Sequence, residues 1–148
     1  MAGPDRGDHS VIRTTLLAAV MVAVAGAAAA SPIAGVWRTA SGDALIEIYD
    51  CGDKVCGRVK DSAKLRANPN LVDDRNPNPA LRGRSGKGLE MMQGFSGGPT
   101  EWRGGRIYNP EDGRTYSGSL RLASPDLLKL AGCIVYPLCR TQTWTRAK

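Results

Sequence analysis

Thr115-Tyr116-Ser117-Gly118-Ser119-Leu120-Arg121-Leu122 is the stretch that decides the fold class. Tyr116, Gly118, Leu120 and Leu122 fall on one side of an extended chain, and Ser117, Ser119 and Arg121 fall on the other. A period of two is the mark of a strand with one buried face. The run ends at Ser124-Pro125-Asp126, where Pro and Asp favour a turn, and alternation resumes from Leu127 to Gly132. Two such runs with so short a link read as an antiparallel hairpin.

The same pattern extends outward in both directions. Toward the N-terminus it predicts strands at Gly35–Thr39, Ala44–Tyr49, Val55–Val59, Leu89–Phe95 and Glu101–Tyr108; toward the C-terminus it predicts Arg140–Arg146. Gly104-Gly105 within one of these points to a bulge or sharp bend. No segment shows a convincing amphipathic-helix period. About eight short strands, mostly linked as hairpins, favour a closed antiparallel barrel, because closure removes exposed edges. A two-sheet sandwich is the alternative. The stretch Asp61–Lys87, with Asn68-Pro-Asn, Asn76-Pro-Asn-Pro and Gly83-Arg-Ser-Gly-Lys-Gly, breaks the alternation. A connection of this length in a small domain marks function or mobility.

The first thirty residues read as a cleaved signal peptide. Arg6 and Arg13 are basic, Leu16–Ala30 is apolar or small, and Ala28-Ala29-Ala30 precedes Ser31. The run is 15 residues long, short of the roughly 20 that cross a bilayer. The expectation is a signal peptide at 1–30 and one domain at 31–148, periplasmic or secreted, whose mature form does not span the membrane. Arg6 and Arg13 cancel Asp5 and Asp8, so the net charge of +6 belongs to the mature domain. A basic domain suits anionic neighbours, or serves solubility alone. Nucleic acid is not expected without a basic stripe. Nothing in the sequence bears on the oligomeric state.

His9 is the only histidine and leaves with the leader. That removes Ser-His-Asp and Cys-His nucleophiles and His-based zinc sites. Cys51, Cys56, Cys133 and Cys139 are an even set in an exported domain, which reads as disulfides. Of the three pairings, the local ones, Cys51–Cys56 and Cys133–Cys139, suit cross-strand neighbours in hairpins. A four-cysteine zinc site is the rival, with spacings wider than the usual ribbon pairs. No cofactor and no metal site is expected.

Candidate site residues come from three places. In the last strand, alternation puts Arg140, Gln142, Trp144 and Arg146 on one face and three threonines on the other. Turned inward, Arg140 and Gln142 would line a site for an anionic or polar-headed ligand; turned outward, they form a solvated face. Trp37, Trp144 and Arg146 are assigned to structural closure of one barrel end, a guanidinium stacking on an indole. Tyr108, Tyr116 and Trp102 are placed with Arg140 and Gln142 on the ligand wall, core packing being the alternative reading of the two tyrosines. In the long loop, Asp74, Asn76 and Arg82 are read as loop-ordering residues. Asp74-x-Asn76-x-Asn78 starts like a calcium loop, but Pro79 stands where Gly is needed and Ser85 where the bidentate Glu belongs. Gly83–Gly88 lacks P-loop spacing, and Glu111-Asp112 is no separated glycosidase pair.

Gly35-x-Trp37, Ile46-Glu-Ile-Tyr49, Cys56-Gly-Arg-Val59, Asp74-x-Asn76-Pro77, Leu81-Arg82, Trp102-x-Gly-Gly-x-Ile-Tyr108-x-Pro110, Gly113-x-Thr-Tyr116 and Arg140-Thr-Gln-Thr-Trp-Thr-Arg146 resemble an exported bacterial family, domain of unknown function 2147. The likeness covers nearly the whole mature chain, and both cysteine pairs resemble those of many members. It implies a small eight-stranded, lipocalin-like barrel of calycin type. Gly35-x-Trp37 with the late Arg146 is also similar to the lipocalin pattern of a first-strand Trp packed under a last-strand Arg. The family implies no agreed activity.

The reading is therefore an exported all-β barrel, not an enzyme, that binds a small lipophilic, amphipathic or anionic ligand. A packed barrel that contacts a protein partner or the cell wall through Asp61–Lys87 is the first rival. A carboxylate-based envelope enzyme is the second.

Overall fold

The computed structural model describes residues 28–148, together with Gly3 and Gly26. Apart from Gly3, Gly26 and Ala28–Ala30, the signal peptide read at 1–30 lies outside the described residues.

Eight strands form one closed antiparallel barrel in simple sequence order: β1 (Gly35–Arg38), β2 (Ala44–Cys51), β3 (Lys54–Ser62), β4 (Glu90–Gly97), β5 (Glu101–Asn109), β6 (Arg114–Ser124), β7 (Leu127–Val135) and β8 (Leu138–Arg146). Each strand pairs with the next. The ring closes where Trp37 and Arg38 of β1 face Arg146 and Thr145 of β8. The decisive stretch Thr115–Leu122 lies wholly inside β6, with Leu120 buried and Arg121 exposed.

An up-and-down chain puts alternate turns at opposite ends. One end holds the β2–β3, β4–β5 and β6–β7 turns and the segment entering β1. The other holds the β1–β2, β5–β6 and β7–β8 turns and the long β3–β4 connection. The first end is packed shut. Trp37, Phe95, Trp102, Met92, Leu120 and Leu128 fill it almost without solvent contact. Phe95 fits because Gly105 and Gly118 carry no side chain: a Cβ on Gly105 would stand 2.3 Å from the Phe95 ring, and one on Gly118 would stand 2.9 Å from it. Gly104-Gly105 is the bulge expected, since the β5–β6 register shifts between Trp102 and Gly105.

Two disulfides close the hairpins locally. Cys51–Cys56 staples β2 to β3 at the packed end, and Cys133–Cys139 staples β7 to β8 at the opposite end. The cysteines are thus not zinc ligands.

The long connection is more ordered than its composition suggests. β3 runs on to Ser62, whose hydroxyl accepts from the Leu65 amide and caps a short helix, α1 (Ala63–Ala67). Leu65 buries against the barrel. A single 3₁₀ turn follows at Pro79–Leu81, with the Asn78 side chain accepting from the Ala80 amide. Among the described residues no helix is long and apolar enough to cross a membrane.

Candidate functional site

The packed end is locked by Arg146. Its Nε donates to the Pro125 carbonyl at 2.8 Å, Nη1 to Ala34 at 2.9 Å and Nη2 to Pro32 at 2.8 Å. The guanidinium lies 4.3 Å from the centre of the Trp37 ring. Trp37 in turn donates its indole N–H to the Ile33 carbonyl. One cation therefore ties together the chain entering β1, the β6–β7 turn and β8.

The opposite half of the barrel is open. A cavity of about 1290 Å³ runs from Ile46, Val59, Ile107, Leu130 and Trp144 at its apolar depth to the mouth formed by the β1–β2 turn, α1, the long connection, the β5–β6 turn and the β7–β8 hairpin. The packed-barrel expectation therefore fails for this half. β8 presents Arg140, Gln142 and Trp144 to the cavity, and β6 presents Tyr116. Trp144 is buried, and its indole N–H donates to the Gln142 side-chain oxygen at 3.0 Å, which fixes the amide in the wall. No hydrogen bond or ion pair among the described residues engages the Arg140 side chain, so its guanidinium faces the mouth uncommitted.

The sequence expectations divide at this point. Arg140, Gln142 and Tyr116 do line the cavity. Tyr116 is also tied to Asp112 by its hydroxyl; that bond raises the phenol pKa above its ordinary value. Trp102, assigned to the ligand wall, is instead 1 % exposed in the packed end, paired with Leu120 and Gly97. Trp102 does face inward, but it stands at the start of β5 beside the β4–β5 turn, which lies at the packed end. Trp144, assigned to end closure, is instead part of the cavity wall, two residues away from Arg146 and Trp37, which form the closure.

Tyr108 is corrected too. Its neighbour Ile107 lines the cavity, so Tyr108 turns the other way, where the long connection covers it. Its hydroxyl donates to Asp73 Oδ1 at 2.5 Å. Asp73 Oδ2 accepts from Asn76 Nδ2 and from Arg84 Nη2, both at 2.8 Å. Burial raises the Asp73 pKa, but the bonds from Tyr108, Arg84 and Asn76 outweigh it and hold the carboxyl below its usual value. Burial, with the Asp73 carboxylate beside it, pushes the Tyr108 phenol up to about 12.

Loop ordering thus falls on Asp73, not on Asp74. Asp74 is exposed at the cavity mouth. Asn76 and Arg82 do order the loop: the Asn76 side chain accepts from the Asn78 amide, and Arg82 Nε donates to the Asn76 carbonyl at 2.8 Å. Asp73, Arg84 and the tip of the β7–β8 hairpin are not among the assigned site residues, although Asp73 stands in one loop cluster with Asp74, Asn76 and Asn78, and Arg84 in a basic stretch with Arg82 and Lys87. The cluster points to loop ordering by one or both aspartates, but adjacent identical residues in a non-periodic loop give no cue to which is buried.

Among the described residues, no three His, Cys, Asp or Glu side chains converge as a metal site.

Comparison with known proteins agrees with this architecture. The profile of a family described as "Uncharacterized protein conserved in bacteria (DUF2147)" matches residues 35–146. No curated protein matches significantly. Among solved structures, this barrel is similar to protein HP1028 from Helicobacter pylori, whose structure is described as belonging to the lipocalin family. The two share 24 % identity with a TM-score of 0.70, over 78 % of this chain and 82 % of that one.

Proposed function

The chain belongs to the bacterial family DUF2147, and on that premise we propose that it is an exported binding protein that holds one small lipophilic or amphipathic molecule in the open half of its barrel. The observation that carries this reading is the shape of the cavity: an apolar depth at Ile46, Val59, Ile107, Leu130 and Trp144 beneath an uncommitted guanidinium, Arg140, and a fixed amide, Gln142. A hydrocarbon chain would enter the depth, and a carboxylate or phosphate head would meet Arg140. The volume exceeds what a drug-sized ligand needs, roughly 300–1,000 Å³. Two disulfides suit an oxidising compartment, so we place the protein in the periplasm or outside the cell. We read it as a binder and not an enzyme, because the chain after the leader lacks histidine and its sequence carries no paired-carboxylate motif.

The test is native mass spectrometry of the gently purified domain, followed by titration with a fatty acid and a lysophospholipid. A one-to-one complex is expected. Arg140→Ala should weaken it about tenfold, through loss of one charge-assisted contact. Absence of any bound mass, with no uptake of either probe, overturns the reading.

A further inference from the structure

The β7–β8 hairpin ends in an apolar tip that the barrel does not use for packing. Ile134, Val135, Tyr136 and Leu138 are 73 %, 60 %, 86 % and 65 % exposed, with Pro137 among them. Single exposed apolar residues are ordinary, but a contiguous run marks an interaction site. The tip is held out by construction. Cys133 and Cys139 face each other in register and are bonded directly behind it, so it cannot fold back by fraying.

We propose that this stapled tip is a docking element for an anionic bilayer surface, inserting among the lipids beside the cavity mouth. Three observations favour lipid over another occupant. The apolar surface is continuous, since Ile134, Pro137 and Leu138 of the tip also line the cavity, with the exposed Val72 on the same rim. Charge on the hairpin is complementary: Arg140 follows the staple without a side-chain partner among the described residues, and β7 and β8 carry Lys129, Arg140 and Arg146 with no carboxylate, the acidic residues of the mouth, Asp43, Asp74, Glu111 and Asp112, standing on other elements. The patch is also too narrow for a stable copy-to-copy contact, which buries roughly 800 Å² and 20–30 residues per partner. A fluid bilayer needs no matching surface, and Tyr136 at the apex is a residue type that settles at the membrane–water interface.

This goes beyond the cavity reading and stands apart from it. The experiment is flotation of residues 31–148 with vesicles of phosphatidylcholine alone and of phosphatidylcholine with phosphatidylglycerol. The wild type should float with the anionic vesicles and less with the neutral ones. Val135→Ser/Tyr136→Ser touches neither the staple nor the cavity wall, and should lower partitioning at least about tenfold with an unchanged near-UV circular dichroism spectrum. Tyr136→Trp should gain tryptophan quenching by brominated lipid beyond that of the wild type, whose Trp37, Trp102 and Trp144 are all buried. Failure of the wild type to float, equal flotation of the double variant, or tip-dependent dimers in sedimentation without vesicle binding would each overturn the proposal. A domain that floats but takes up no probe upholds docking and ends the cavity reading; the reverse result does the opposite.

Discussion

Replacing Arg146 tests how the packed end is held. The guanidinium donates to three carbonyls from two separate segments, Pro32 and Ala34 before β1 and Pro125 in the β6–β7 turn, and stacks over Trp37. A hydrogen bond to a charged group contributes roughly 1.5–3 kcal/mol when buried. The Arg146 side chain is 25 % exposed, so water would recover part of that for the freed carbonyls. About 1 kcal/mol for each bond and about 1 kcal/mol for the stacking gives a loss of about 4 kcal/mol for Arg146→Ala. For a domain of this size, 1 kcal/mol moves Tm by roughly 4 °C, so the midpoint should fall by about 16 °C. Arg146→Lys keeps the charge but concentrates its donors on one nitrogen, which cannot reach Pro32, Ala34 and Pro125 together. It should lose about half as much. Differential scanning calorimetry of residues 31–148 at pH 7, with both disulfides intact, measures both. A fall of less than about 4 °C for Arg146→Ala, or equal midpoints for Lys and Arg, would refute the three-way tie.

The other predictions concern the loop, the staples and the packed core. Asp73 is held below its usual pKa by its partners in the fold, so its stabilisation is complete above about pH 4 and disappears as pH falls through the folded value. Asp73→Asn should cost about 2 kcal/mol at pH 7 and flatten the acid loss, as read from urea midpoints at pH 7 and pH 3. Removing either disulfide as a Cys→Ser pair should cost about 2 kcal/mol, because each closes a short loop; guanidinium midpoints check this. Gly105→Ala drives a methyl into the Phe95 ring and should cost about 3 kcal/mol in the same assay, whereas Gly83→Ala, in open space, should cost little.

Strand positions were legible because a half-buried strand writes its geometry as alternation, as in Thr115–Leu122. The barrel followed from counting hairpins and asking where their edges would go. The helix α1 was not legible: five residues are too few to show a helical period, and its evidence is one cap at Ser62 and one buried Leu65. The tip was hidden for a different reason. Residues 133–139 read as a cysteine-closed loop, whereas β7 and β8 run past the staple to Val135 and Leu138. Alternation also sorts residues onto two faces without saying which face is inside. For β8 that became visible only when Trp144 entered the cavity wall and carried Gln142 and Arg140 with it. In β5 the bulge broke the rule itself, which is why Tyr108 landed away from the cavity; Trp102, ahead of the bulge, faces inward but at the packed end.

The ring closure has a consequence for how the chain acquires its shape. Seven of the eight pairings join neighbours in sequence and can form as soon as each hairpin exists. The eighth joins Trp37 to Arg146, more than a hundred positions away. Whichever process delivers the polypeptide N-terminus first, whether synthesis or translocation, must hold one side of β1 unpaired until β8 has arrived. Throughout that interval the growing meander has two free edges, and the residue that ends it is among the last to emerge.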